Sequence, residues 1–481
     1  MTGQFDAMRW LKPESVVLLL FLALVAWIPF PYGSNRAWAE LPAVLGLSGV
    51  LLCWAGLVMS GVASQTPLIR QLRWPALCTA IALGWGTIQS LDLGLLHSLS
   101  GIDLEWLAHP VWSAAASTLE LNTGAYISID PAATRQALLA ALLPVMAFLL
   151  AFNLGRDRDR ATVILMSVVF VGIACAIMAS ANHLFAIDLQ SISLPEARPT
   201  GQGFAAPFMN PDHLGALLGL AAIAALGTFA ERFRQAVPWG KDTRTTLAGI
   251  GRSLEGVDGA LLILGACLLS ALVATASGVA IAGVLAGLVM LMLQLAHVPD
   301  EDEPQAHGRR AVTAILVAVL GILVATGARS MLERFGPPAL DPSIRQAIAA
   351  ATLDAIGSAP WLGQGFGAFE GYHTINGGLG VPGTVQEANN DLLEPMADLG
   401  IPAGLAFLAS PLLICLQCLS GAAIRRRDRA FPAVAVASCM CMAVHAVAGF
   451  SLQIPAVSVI FAVLLGIGAV QSWRTNMDLV R

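Results

Sequence analysis

Between residues 387 and 400 the chain reads EANNDLLEPMADLG. Glu387, Asp391, Glu394 and Asp398 recur every three or four residues, so a helix over 387–398 would carry all four carboxyls on one face. Asn389 and Asn390 lie among them. Amides and carboxylates at this density suit a hydroxyl-rich substrate, and a carboxylate can take the proton of an attacking hydroxyl. A structural account competes: Asp391 and Glu394 as a capping box at a helix N-terminus. Pro395 weakens it, because a proline just beyond the box removes a backbone donor. Four acids also exceed what capping requires. A carboxylate-bound metal is the third account; no DxD-type motif accompanies the acids, and no metal is expected.

Two further polar clusters precede this one. In RPTGQGFAAPFMNPDHLGALLGL, Arg198 and a glycine-rich turn lead to Asn210, Pro211, Asp212 and His213. Asn210 followed by proline suits an N-cap, but capping does not explain His213, one turn inside an apolar helix. The segment 329–398 is the second cluster. It contains an amphipathic stretch over 342–357, with Ile344, Ile348, Ala351 and Leu353 turned to membrane or protein, and a plausible helix start at Asp341–Pro342–Ser343. Its only cations are Arg329, Arg334 and Arg345; an arginine fork matches a phosphate or diphosphate. WLGQGFGAFEGYH has GxGxG-like spacing with no strand before it, so its glycines are read as tight turns rather than a nucleotide cradle. His373 ends that stretch as a second candidate base.

The elements that position these clusters are membrane helices. Of 481 residues, 57% are hydrophobic and 12% charged, against roughly 25% charged in a soluble protein, and the mean hydropathy is +0.73. The expected fold is all-α and polytopic, a single membrane domain over 1–481 with about 12 transmembrane helices. The spans are placed near 15–31, 41–63, 75–91, 133–155, 161–181, 210–230, 259–276, 278–296, 311–328, 399–421, 431–449 and 454–473. The first has no small-residue cleavage site and is read as retained. A cytoplasmic N-terminus puts 20 Arg and Lys inside and 6 outside. Both termini are then cytoplasmic, and 329–398 is a large periplasmic loop between spans 9 and 10. The eight cysteines fall within spans, and the CxxC of Cys415 and Cys418 is read as packing.

With orientation assigned, all three polar clusters gather on the outer face. Few ionisable residues lie deep in spans, His445 being the main exception. An ion-coupled transporter needs such groups near the midplane. A glycolipid flippase or polysaccharide exporter remains the alternative and would need a cation-lined passage through the bilayer.

The ordered set of motifs resembles the O-antigen ligase and O-antigen or exopolysaccharide polymerase superfamily, most specifically between 198 and 460. PFPYGSNRAWAE looks like its loop after span one, GQGFAAPFMNPDHLGALL like the start of a central span, and IRQAIAAATLDAIGSAPWLGQGFGAFEGY with EANNDLLEPMADLGIPAG like its large loop. GFSLQIPAVSVIFAVLLGIG looks like its last hairpin. The resemblance implies a bacterial inner-membrane glycosyltransferase. Its donor is a polyprenyl-diphosphate-linked glycan, and its acceptor lipid A core, a carrier-linked glycan or a protein hydroxyl. No cofactor, metal or nucleic acid takes part; membrane lipids surround it. Arginines would hold the diphosphate and a histidine assist the acceptor. Two positions depart from the pattern: Asn389 stands where the histidine is expected, and Ser277, in TASG, where an arginine is. An amide cannot act as a base near neutral pH. The catalytic candidates are therefore Asp391, Glu387, His373 and Arg345, with Arg198, Arg334, Asn210, His213, Asn389 and Asn390 binding substrate. Losing the ligase positions tilts the reading towards polymerase; an inactive glycan-binding homologue is the further alternative.

Overall fold

The computed structural model describes residues 12–64, 66–120, 123–185, 204–239, 242–296, 303–334, 342–376, 388, 390–425, 428–447 and 449–473, and among them there is no strand. In chain order the helices are α1 (Pro13–Trp27), α2 (Ala37–Met59), α3 (Arg73–Gln89), α4 (Leu93–Ser100), α5 (Pro110–Leu119) and α6 (Pro131–Leu154). Then come α7 (Arg158–Phe185), α8 (Pro211–Ala236), α9 (Thr243–Leu254), α10 (Val257–Thr275), α11 (Gly278–Ala296) and α12 (Glu303–Arg334). The last are α13 (Pro342–Ser358), α14 (Phe369–Ile375), α15 (Glu394–Ile424), α16 (Ala430–Ala446) and α17 (Pro455–Val470).

Each of the twelve expected spans falls on one of these helices. Seven (α2, α6, α7, α8, α10, α11 and α15) are long and apolar enough to cross a membrane; α1, α16, α17 and residues 310–326 of α12 are apolar but shorter. The chain is thus an all-helical, polytopic membrane protein. Helix α8 is its centre: residues 213–231 are all buried, as expected of a helix apolar on every side. Small residues let neighbours close on it. A Cβ at Gly219 would lie 2.3 Å from Val284 of α11, and one at Gly227 would lie 2.4 Å from Val434 of α16. Outside this core α6 packs on α17 and α3 on α15.

The two ends of the bundle differ. One is rich in arginine and stitched by ion pairs, Arg158 with Asp428 at 2.7 Å and Arg232 with Asp258 at 2.8 Å. There the buried Glu231 of α8 accepts the amides of Arg429 and Ala430 and so fixes the start of α16.

The other end holds the polar clusters, and its key joint is a break in α15. Gly400 has φ +76°, and a Cβ there would meet the Trp361 carbonyl oxygen at 2.5 Å. Gln89, fully buried at the end of α3, secures the joint. Its amide donates to the carbonyls of Leu362 (2.7 Å) and Asp398 (2.9 Å) and accepts from the Phe366 N–H (3.1 Å). Of the glycines in WLGQGFGAFEGYH, Gly363, Gly365 and Gly367 are therefore turn residues with positive φ, and Gly371 lies in α14. The turn wraps the helix break, where the Gln364 and Gly365 amides donate to the Ala397 and Asp398 carbonyls. Within 329–398 the described residues are largely helical, and α13 covers the expected amphipathic stretch. Ile348 and Ala351 are buried and Leu353 is exposed; the Ile344 side chain and Asp341 lie outside the described residues.

Candidate functional site

A cavity of about 2550 Å³ opens among the helices at the polar end. Its polar part is lined by the turn after α1, the starts of α8 and α15, and the corner between α16 and α17. It continues as an apolar trough between α3, α6, α15 and α17, past Ala141, Phe148, Phe407, Phe461 and Leu465. At the far end it reaches Leu72 and Arg73.

Three carboxyls from the start of α15 line the polar part: Asp391, Glu394 and Asp398, all buried. Asp391 is not the helix cap that a capping box requires. Nor does any side chain cap α15, whose N-cap position is Leu393; Asn390 instead closes the turn before the helix, its Oδ1 accepting from the amides of Leu392 and Leu393 at 3.0 Å. Asp391 turns away to the α16–α17 corner, where Oδ2 accepts from the Leu452 amide at 3.0 Å. Its backbone N–H donates to Gly449 and the Asn390 side chain donates to Val447, both at 3.1 Å. Burial holds the Asp391 carboxyl well above the usual carboxylate range; the Leu452 amide pulls against this and Glu394 adds to it. Asp398 Oδ2 accepts from the Gly367 amide at 2.7 Å, while its Oδ1 has no hydrogen-bond partner among the described residues. Among those residues no group of three His, Cys, Asp or Glu side chains is arranged to hold a metal ion.

Donor groups come from the other elements. Asn210 caps α8 as its sequence suggests, Oδ1 accepting from the Asp212 amide at 2.9 Å with Pro211 following. That bond uses the oxygen and leaves the Nδ2 donors for other partners. His213 lines the cavity one turn on; its Nδ1 meets Ser451 Oγ at 2.9 Å, and its ring stands edge-on to Phe450 at 4.7 Å. Arg36 lines the same region and donates to the Met209 sulfur at 3.4 Å, beside Asn210. Gly33 lets this turn close on the site: it has φ +68°, and a Cβ there would lie 2.7 Å from Phe208.

The structure thus brings together Asn210, His213, Asn390 and Asp391 around one cavity. His373 is buried on α14 and is not part of the lining; its Nε2 has no hydrogen-bond partner among the described residues. Arg198, Glu387 and Asn389 lie outside the described residues. So do the side chains of Arg334, which ends α12, and Arg345, in the first turn of α13. Ser277 lines the cavity and caps α11, its Oγ accepting from the Ala280 amide at 3.1 Å.

Sequence reasoning missed Arg36, Glu40 and Ser451. Arg36 is visible in PFPYGSNRAWAE as an outer cation, and the buried, cavity-lining Glu40 as an acid one helical turn later. Ser451 gives no signal, because its partner is 238 positions away. Residues 263–408 match the family model described as O-antigen ligase. The match takes in Ser277, the glycine-rich turn and the three carboxyls, and it supports the chain's place in the O-antigen ligase superfamily. No curated protein matches the chain.

Proposed function

We propose that this O-antigen ligase-type membrane protein transfers glycan from a polyprenyl-diphosphate-linked donor at the periplasmic face of the inner membrane, most readily as a polymerase of surface polysaccharide. The cavity carries this reading: a polar chamber continuous with a long apolar trough has the two-part chemistry of a lipid-linked sugar. The isoprenoid lies in the trough. The diphosphate faces Arg36, Asn210 and His213, and Arg345, whose side chain lies outside the described residues, is the further cation assigned to it by the family resemblance. The glycan hydroxyls face Asn390 and the carboxyls of α15. Asp391, with its raised proton affinity, takes the proton of the attacking hydroxyl. Positive charge and N–H donors stabilise the departing diphosphate, so no nucleotide is needed. In this reading the twelve helices all span, both termini are cytoplasmic, and the acceptor is a carrier-linked glycan or lipid A core.

The test is a strain lacking this chain, with envelope glycans resolved by size and carrier-linked repeats measured alongside. Single repeats on lipid A core without long chains support polymerase. Long chains stranded on the carrier indicate a ligase instead. The extension of the cavity to Arg73 favours a second reading, movement of the lipid-linked glycan across the bilayer. Accumulation of carrier-linked repeats on the cytoplasmic face would select that reading.

A further inference from the structure

His213 presents one ring nitrogen to Ser451 and lines the cavity. The tautomer of such a ring is set by what its bonded nitrogen meets. Ser451 is fully buried, and among the described residues its Oγ meets only His213. A buried hydroxyl places its proton on an acceptor, and among the described residues Nδ1 is the one acceptor that this Oγ meets. The neutral ring then carries its own proton on Nε2. Phe450 holds the ring plane from the side, and the corner carrying Ser451 is itself clamped by Asn390 and Asp391 through Val447, Gly449 and Leu452. The pair is thus built in from three elements: α8, the α16–α17 corner and the start of α15.

We propose that Ser451 is a positioning residue that fixes His213 as the Nε2–H tautomer, so that the ring donates a hydrogen bond into the cavity, to an oxygen of the substrate diphosphate. The last clause rests on the function proposed above; the tautomer does not. In this arrangement His213 is a neutral donor and not a base. A neutral imidazole keeps its proton where a charged one would have to be desolvated. The titratable groups around the ring are Asp212 on its own helix, His445 on α16 and Asp391 beside the corner. Helices α10 and α11 meet this end of α8 with Leu272, Thr275 and Ala280, none of them titratable.

The experiment uses the full chain, labelled with ¹⁵N-histidine, in lipid nanodiscs, with His213 assigned by its loss in His213→Gln. The expected spectrum shows Nδ1 unprotonated and Nε2 protonated, unchanged between about pH 5.5 and 8. Ser451→Ala mixes the tautomers and Ser451→Thr restores the single form. A protonated Nδ1 in the parent chain, or a Ser451→Ala spectrum identical to it, overturns the proposal. Undecaprenyl diphosphate binding is measured in the same discs. His213→Gln, which keeps an N–H donor, stays within about threefold of the parent, and His213→Leu weakens binding about tenfold or more. Parent-level binding in His213→Leu overturns the donor role alone. Absence of binding in the parent chain overturns the donor role together with the proposed function and leaves the tautomer assignment standing.

Discussion

Asp391 and His213 grip adjacent residues of one corner: the carboxylate accepts from the Leu452 amide at 3.0 Å, and the imidazole meets the Ser451 hydroxyl at 2.9 Å. The two candidates are 178 positions apart in the chain, yet a single peptide step in the α16–α17 corner joins their partners. Moving either one therefore moves the other's support.

Asp391 makes stability depend on pH. Its raised pKa means that the folded state holds the proton more tightly than the unfolded chain does. Its contribution is complete below the ordinary carboxylate value of about 4 and is lost as pH rises through the raised folded value. Thermal unfolding of the detergent-solubilised chain is expected to shift to lower temperature across that window. Asp391→Asn keeps an acceptor for Leu452 and flattens the profile. Superimposable pH profiles for parent and variant would remove the assignment.

Gly400 is a conformational requirement of the α15 break. Gly400→Ala places a Cβ against the Trp361 carbonyl at a φ of +76° and is expected to destabilise by about 3 kcal/mol or more. Gly56→Ala, where nothing lies within 4 Å, is the control, and it should be neutral or gain up to about 1 kcal/mol. Equal midpoints for the two variants in thermal unfolding would contradict this account.

Gln89 joins α3 to the break through three hydrogen bonds. Gln89→Leu fills similar space but strands two carbonyls and an amide, with an expected loss of roughly 3 kcal/mol. Proteolysis should then begin in residues 361–367, which depend on that side chain. Cleavage starting elsewhere would show that the joint is held by other contacts.

Arg36 is a described cation at the polar end of the cavity. Arg36→Ala is expected to weaken undecaprenyl diphosphate binding by about 10- to 100-fold, the range for hydrogen bonds to a charged group, with Arg36→Lys intermediate because it loses the fork. Ala141→Trp, in the trough, should weaken binding of the same lipid while leaving the unfolding temperature near that of the parent. Normal binding in both variants would separate the cavity from the substrate.

Much of the fold was legible because membrane helices announce themselves locally. An apolar run long enough to cross a bilayer needs no tertiary information, and all twelve expected spans coincide with helices. The Asn210 cap is equally local, since its acceptor and donor are two residues apart. The start of α15 was less so: the acidic spacing favours an Asp391 cap, but the chain turns before the helix, Asn390 closes that turn, and Asp391 goes to a partner 61 positions away.

By itself, then, the sequence determined which stretches form apolar helices and which polar clusters lie between them, because apolar length is a property of consecutive residues. Only the tertiary structure decided which of those polar groups share a cavity. It left His373 in the protein interior, brought Arg36 and Glu40 to the lining, and paired His213 with Ser451. Such meetings depend on how helices cross, and on glycines such as Gly33 and Gly219 that permit close approach between segments far apart in the chain.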